Sequence, residues 1–196
     1  MDTDTLILAS NSPRRRALLE QVGIKFRVEV SDIDETIPAG MTPRQAVAML
    51  AEKKAAEVAR RCDDEALILA ADTVVAYDGM ILGKPEHESD MFQMLTMLSG
   101  NWHKVYTGLC LRRGGKQVTQ VVRTRVKFSE LSEEEIEAYI RTGEPGDKAG
   151  GYAIQGAGAV FVEEIEGDYY NVVGLPLNTL YRLLKTEFHF RPFSED

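Results

Sequence analysis

Three arginines stand where a helix least favours them. In "SNSPRRRALLEQVG", Ser12 is a natural N-cap, Pro13 takes the first helical position and Gly23 closes the segment. Arg14, Arg15 and Arg16 then fill the first turn, where the helix dipole disfavours each cation by about 0.3–1 kcal/mol. On a helical wheel Arg15 projects near the centre of the apolar face formed by Leu18, Leu19 and Val22. Arg14 lies at its flank, and Arg16 points to solvent. A buried Arg15 needs an anion beside it, since unpaired burial of a charge costs several kcal/mol. That anion is a protein carboxylate or a ligand, and the free N–H groups of a helix entry suit a phosphate.

Other residues repeat the anomaly. Lys54 falls inside the apolar stripe of Ala46, Val47, Leu50 and Val58, where it either snorkels to the surface or meets a ligand. "ILAADTVV" puts Asp72 at the end of a hydrophobic strand, as a turn cap or as a group aimed at a site beyond the strand's carboxyl end. Glu35, in an acidic loop, offers a second oxygen ligand, and Asp32 and Asp34 read as loop solvation. Lys84 precedes Pro85 in a stiff loop, and Lys148 heads the glycines of "DKAGGYAIQG". Gln155 carries the paired donor and acceptor that can read a base edge.

Cations beside two carboxylates suit hydrolysis of a phosphate anhydride by water and a metal, with the cations neutralising phosphate oxygens. Hard divalent cations bind through few carboxylates plus substrate phosphates. No Ser-His-Asp arrangement, Walker A sequence or G-x-G-x-x-G supports an activated serine, a kinase or a dinucleotide site.

The elements that must position these groups follow from local pattern. Strands are expected at Thr5–Ala9 and Phe26–Val30, with the arginine helix, Pro13–Val22, between them. A helix opens at Thr42-Pro43 and runs to about Cys62. A buried strand leads into an Asp78-Gly79 hairpin, and a helix spans Ser89–Leu98. Lys104–Arg112 and Gln117–Phe128 pair across Gly114-Gly115. A capping box of Ser132 and Glu135 starts a helix that ends at Gly143. Phe161–Ile165 is read as a strand followed by a hairpin around Gly167, and the last helix spans Pro176 to about Lys185. This order argues an α/β fold with a mixed sheet flanked by helices.

The totals narrow the class. With 44% hydrophobic and 28% charged residues in 196, the chain is expected to be one globular α/β domain, without a membrane span or a secretory signal. A net charge of -8 speaks against a nucleic-acid partner, which needs a basic surface. Two cysteines and three histidines, without zinc-type spacing, fit a reducing cytoplasm.

"LASNSPRR", "LAEKKA", "ADTVV", "GKP", "HKVYTG", "DKAGGYAIQG" and "VVGLPL" occur in the order of a known family. On these motifs the chain resembles the Maf proteins, septum-formation-inhibitor-like nucleoside triphosphate pyrophosphatases, from about Leu6 to Leu184. The tail, about residues 186–196, lies outside. The resemblance implies two lobes around a deep cleft, similar to the inosine-triphosphate pyrophosphatases. It implies hydrolysis of a nucleoside triphosphate to the monophosphate and pyrophosphate with a divalent cation, Mg or Mn, in a house-cleaning role, and a homodimer.

By motif, Asp72 becomes the proton acceptor that activates water, or a direct metal ligand. Arg15, Lys54 and Lys84 hold phosphates with Ser10 close by, and Glu35 helps the metal. Arg14, Thr73 and Gln155 match positions tied to substrate choice, and their pattern resembles the branch acting on dTTP and UTP. The alternatives are a 7-methyl-GTP or ITP-type pyrophosphatase, or a nucleotide-binding regulator of septum formation that needs no catalysis.

Overall fold

A computed structural model describes residues 6–190. Its elements are β1 (Leu6–Leu8), α1 (Pro13–Gln21), β2 (Phe26–Val28), α2 (Pro43–Ala59), β3 (Leu67–Tyr77), β4 (Met80–Leu82) and α3 (Glu88–Leu98). They continue with β5 (Trp102–Arg113), β6 (Lys116–Phe128), α4 (Glu133–Arg141), β7 (Val162–Glu166), α5 (Tyr169–Val173) and α6 (Leu177–Glu187). The strands form one seven-stranded sheet in the order β2-β1-β3-β5-β6-β7, with β4 paired to β3. Parallel pairing of β1 with β2 and β3, and antiparallel pairing of β3 with β4 and β6 with β7, makes the sheet mixed, as the strand order of the sequence leads one to expect.

The chain groups into two compact units. One holds the chain up to Asp72, then Thr107–Val122 and the part from Gly174 onward; the other holds Thr73–Tyr106 and Arg123–Val173. In the first, α2 lies on the sheet through small residues. Ala51, Ala55 and Val58 pack with Ile7 and Ala9 near β1, Ile68 and Ala70 of β3, and Cys110 of β5. Gly108, two residues before Cys110 and so on the same face, allows the closest approach. A Cβ there would stand 2.3 Å from the carbonyl oxygen of Val47. Period-2 alternation then puts Asp72 on the face of Ile68 and Ala70, the face that α2 covers, and Thr73 on the other.

Three expectations need correction. β3 does not end at Asp72: the strand runs on to Tyr77, because Val75–Tyr77 find new partners in β4 across the Asp78-Gly79 turn. The parallel pairing with β1 does stop at Leu69, so Asp72 stands just beyond the carboxyl end of that pairing. No hairpin follows β7. Asp168 instead accepts hydrogen bonds from the N–H groups of Tyr170 (2.8 Å) and Asn171 (3.3 Å), and this side-chain cap starts α5. Arg16 is not simply solvated: it is half-buried, its guanidinium folds back onto Asn11, and its buried Nε has no hydrogen-bond partner among the described residues.

Candidate active site

Ser12 caps α1 as its type demands, its hydroxyl accepting from the Arg15 N–H at 3.4 Å. Arg15 is 9% exposed. Its Nε donates to the carbonyl of Gly174 at 2.8 Å and its Nη1 to the hydroxyl of Ser10 at 3.1 Å. Ser10 also accepts from the N–H of Ser12, which ties the loop before α1 to the guanidinium. Burial pushes the Arg15 guanidinium down from its ordinary value, the charge of Asp72 opposes this, Arg14 adds to it and Glu35 opposes it. The group remains a cation at neutral pH. Arg14 is half-buried beside it, and no hydrogen bond from its side chain is found among the described residues.

The ammonium of Lys54 does not snorkel to the surface. Lys54 is 7% and Asp72 8% exposed, and Nζ donates to Asp72 Oδ1 at 2.6 Å. Glu35 Oε1, on an exposed side chain, completes a bridge at 3.0 Å. Lys53, its neighbour, is exposed. The capping box of Thr42 and Gln45 fixes where α2 begins, and the apolar stripe fixes its rotation. Together these aim Lys54, rather than Lys53, at the face of β3 that bears Asp72.

Ser10, Arg15, Glu35, Lys54 and Asp72 therefore form one cluster within the first unit, with Arg14 at its rim. The cluster alternates charge: a buried cation at the helix entry, a carboxylate on the strand, a second buried cation and a more exposed carboxylate.

In the second unit the loops of Lys84 and Lys148 are brought together by a hydrogen bond from Gly150 N–H to Gly83 carbonyl, 3.1 Å. Gly150 has φ +73°, and a Cβ there would press on Val75 at 2.9–3.0 Å, so this loop needs glycine. Lys84 is exposed, and among the described residues its ammonium makes no ion pair. Lys148 differs: Asp147 pairs with it, and the carbonyl of Glu144 accepts from it at 3.2 Å. Gln155 is exposed at a turn closed by Gly156 N–H to Ala153 carbonyl, 3.2 Å. Thr73 is half-buried and follows Asp72 on β3.

Sequence reasoning missed several supporting groups. The carbonyl of Gly174 carries no side-chain signal at all. Buried Asn171 donates to Val105 carbonyl (3.1 Å) and Thr124 Oγ1 (3.0 Å), anchoring α5 to β5 and β6. His103, 1% exposed, meets the Tyr152 hydroxyl at 2.7 Å, just ahead of the Gln155 turn. Glu144 bonds to the backbone on the far side of that turn, accepting from Ala157 and Gly158.

Buried Arg15 stands at the entry from β1 to α1, and Asp72, just beyond the parallel pairing of β3 with β1, faces Lys54 on α2; strand-to-helix entries of α/β folds are a usual seat for phosphate groups. A family model described as Maf-like protein matches residues 5–187, and the chain belongs to that family. A protein of Bacillus cereus named dTTP/UTP pyrophosphatase is 52% identical over 180 residues, covering 92% of this chain and 94% of its own. One of the same name from Bacillus cytotoxicus is 53% identical over 179 residues, covering 91% and 93%. Among solved structures, a nucleoside-triphosphatase / dITP/XTP pyrophosphatase from Mycobacterium abscessus has a TM-score of 0.43 at 15% identity, covering 65% of this chain and 75% of that one. Among the described residues no helix is long and apolar enough to cross a membrane.

Proposed function

We propose that the protein hydrolyses dTTP and UTP to the nucleoside monophosphate and pyrophosphate. The observation that carries this is the buried Lys54 ammonium between Asp72 and Glu35, next to the locked Arg15. The relatives that span nearly the whole chain, named dTTP/UTP pyrophosphatase, supply the substrate class.

In this reading the triphosphate draws Arg15 and Lys54 into contact with its phosphate oxygens, with Ser10 beside them. Lys84 and Lys148 are further phosphate cations. Asp72, released from its ammonium, accepts a proton from water as the water oxygen bonds to the α-phosphorus. The bond from that phosphorus to the bridging oxygen breaks, pyrophosphate leaves with the electron pair, and the proton passes to solvent. The cations offset the charge that grows on the leaving group, where low local dielectric strengthens them. Gln155 reads the pyrimidine edge, with Arg14 and Thr73 contributing to substrate choice.

Glu35 and Asp72 converge on one cationic point, and that pair suits Mg²⁺ or Mn²⁺, which bind through few carboxylates plus substrate phosphate oxygens. Among the described residues no group of three metal-ligating side chains is found, so the remaining ligands would come from substrate and water. Bound there, a divalent ion supplies Lewis-acid polarisation of the phosphate and acidifies water.

The test is pyrophosphate release from dTTP, UTP, CTP, GTP, 7-methyl-GTP and ITP with Mg²⁺ or Mn²⁺. Release from dTTP and UTP above the others is expected. Turnover confined to 7-methyl-GTP or ITP would overturn the substrate choice, and no release from any of them would overturn the reaction.

A further inference from the structure

Gln155 is not fixed by a bond of its own among the described residues. It is exposed, and among the described residues its side chain makes no hydrogen bond. What holds it is the backbone on either side, and both sides are fastened to one pair of side chains. Before the turn, the N–H of Ala153 donates to the hydroxyl of Tyr139 at 3.1 Å. After it, the N–H of Ala157 donates to Glu144 Oε1 at 2.9 Å and that of Gly158 to Glu144 Oε2 at 3.0 Å. The Tyr139 hydroxyl donates to the same Oε2 at 2.6 Å, which closes the circuit.

The packing is as tight as the hydrogen bonding. A Cβ on Gly156 would stand 1.8 Å from Glu144 Oε1, and one on Gly158 would stand 2.7 Å from the Tyr139 hydroxyl and 2.9 Å from Ala153 carbonyl. The glycines of "QGAG" are there so that the backbone can close on the carboxylate. Tyr139 is itself immobilised, 4% exposed, with its ring edge-on to Phe161 at 5.0 Å. Burial works to raise the Glu144 carboxyl, but its bonds from Tyr139, Gly158 and Ala157 and the charge of Lys148 hold it below the usual range. It is thus ionised at neutral pH, and a carboxylate can accept all three bonds.

We propose that Tyr139 and Glu144 are positioning residues for nucleobase selection, clamping the Ala153–Gly158 backbone so that Gln155 presents its amide in one fixed place. This rests on the assignment of Gln155 as the base reader. A carboxamide cannot replace the carboxylate: its NH₂ must face either the Ala157 N–H or the Gly158 N–H, and one backbone donor is orphaned in each orientation. A loosened turn lets Gln155 wander, and a base-reading contact is lost while phosphate contacts remain.

The experiment measures kcat and KM for dTTP and CTP in the wild type, Gln155→Ala, Glu144→Gln and Tyr139→Phe. Inorganic triphosphate, which has no base, is used as a competitive inhibitor of each. Glu144→Gln is expected to lower the dTTP-over-CTP ratio of kcat/KM by about 10-fold, mainly through KM, with the triphosphate inhibition constant within about 2-fold of wild type. Tyr139→Phe keeps the ring on Phe161 and removes only the hydroxyl, so it is expected to act in the same direction should Glu144→Gln fail to fold. If Gln155→Ala lowers the ratio and both clamp variants leave it unchanged, the clamp is overturned and the reader stands. If Gln155→Ala leaves the ratio unchanged, the reader falls and the clamp with it. Equal losses for both nucleotides and for inorganic triphosphate would mean a general structural role, and would also overturn the proposal.

Discussion

Lys54 Nζ lies 2.6 Å from Asp72 Oδ1, and both side chains are about nine-tenths buried. An ammonium and a carboxylate this close, shielded from water, support each other: removing Lys54 leaves the buried Asp72 without its ammonium, and removing Asp72 leaves Lys54 with the exposed Glu35 alone. The proposed base is therefore held in reserve, neutralised by the residue proposed to bind the substrate. In the proposed mechanism, a polyanion that takes Lys54 away would free Asp72 as water is deprotonated.

Asp72→Asn is expected to lower turnover of dTTP by at least about 10²-fold, the usual worth of a general base, with the circular dichroism of the folded chain retained. Retained turnover in a folded variant would remove Asp72 from the reaction.

Lys54→Met leaves the Asp72 carboxylate buried without its ammonium and is expected to cost about 3–5 kcal/mol of stability. The double variant Lys54→Met/Asp72→Asn should recover part of that loss, because the stranded charge is gone. Urea unfolding of the two singles and the double gives the coupling, and strict additivity would mean that the pair is not an energetic unit.

Arg15→Lys keeps the charge but cannot bond both Gly174 carbonyl and Ser10 hydroxyl in the planar geometry of the guanidinium. Each charged hydrogen bond is worth about 1.5–3 kcal/mol, so kcat/KM for dTTP is expected to fall by about 10²-fold. A value within a few-fold of wild type would show that only the charge at the head of α1 matters.

Gly108→Ala drives a Cβ toward backbone, which cannot rotate away as a side chain can. We expect a loss of about 1–3 kcal/mol in urea unfolding, together with reduced turnover, since α2 carries Lys54. Gly115→Ala, at a position with open space around it, serves as the control and should leave both unchanged.

Acid stability should report His103. Burial lowers its pKa from 6.5 to about 4, and its Nδ1 has no hydrogen-bond partner among the described residues. The unfolded chain then takes up the proton first, so the stability is complete above about 6.5 and is lost as pH falls toward 4. Between pH 8 and pH 5 this amounts to about 2 kcal/mol. His103→Gln should have a flatter acid limb by that amount in urea unfolding, and parallel limbs would exclude His103 as the source.

Much of the site was legible because helices and strands report their faces through period. Arg15 at the centre of an apolar face and Lys54 inside an apolar stripe were both recognisable as cations in buried positions, and both are buried. Asp72 was recognisable as an acid closing a hydrophobic run, and it is buried beside Lys54. The Arg16 and β3 expectations failed for local reasons: a guanidinium can fold back onto Asn11, and a strand that loses one neighbour continues if a hairpin supplies another.

By itself the sequence determined which side chains are out of place for their elements, and the family motifs that explain them. Only the tertiary structure decided which groups they meet. Period carries the direction in which a side chain leaves its helix or strand, but nothing about what lies across from it. Arg15 ends on a carbonyl 159 residues away, because packing brought Gly174 there and a carbonyl leaves no mark in residue type. Glu144 ends on the backbone of a loop whose glycines were readable, while the carboxylate they make room for was not. Those partners are set by how closely α2 packs within the first unit, and α4 and its loops within the second, a spacing that depends on the side-chain volumes filling each core.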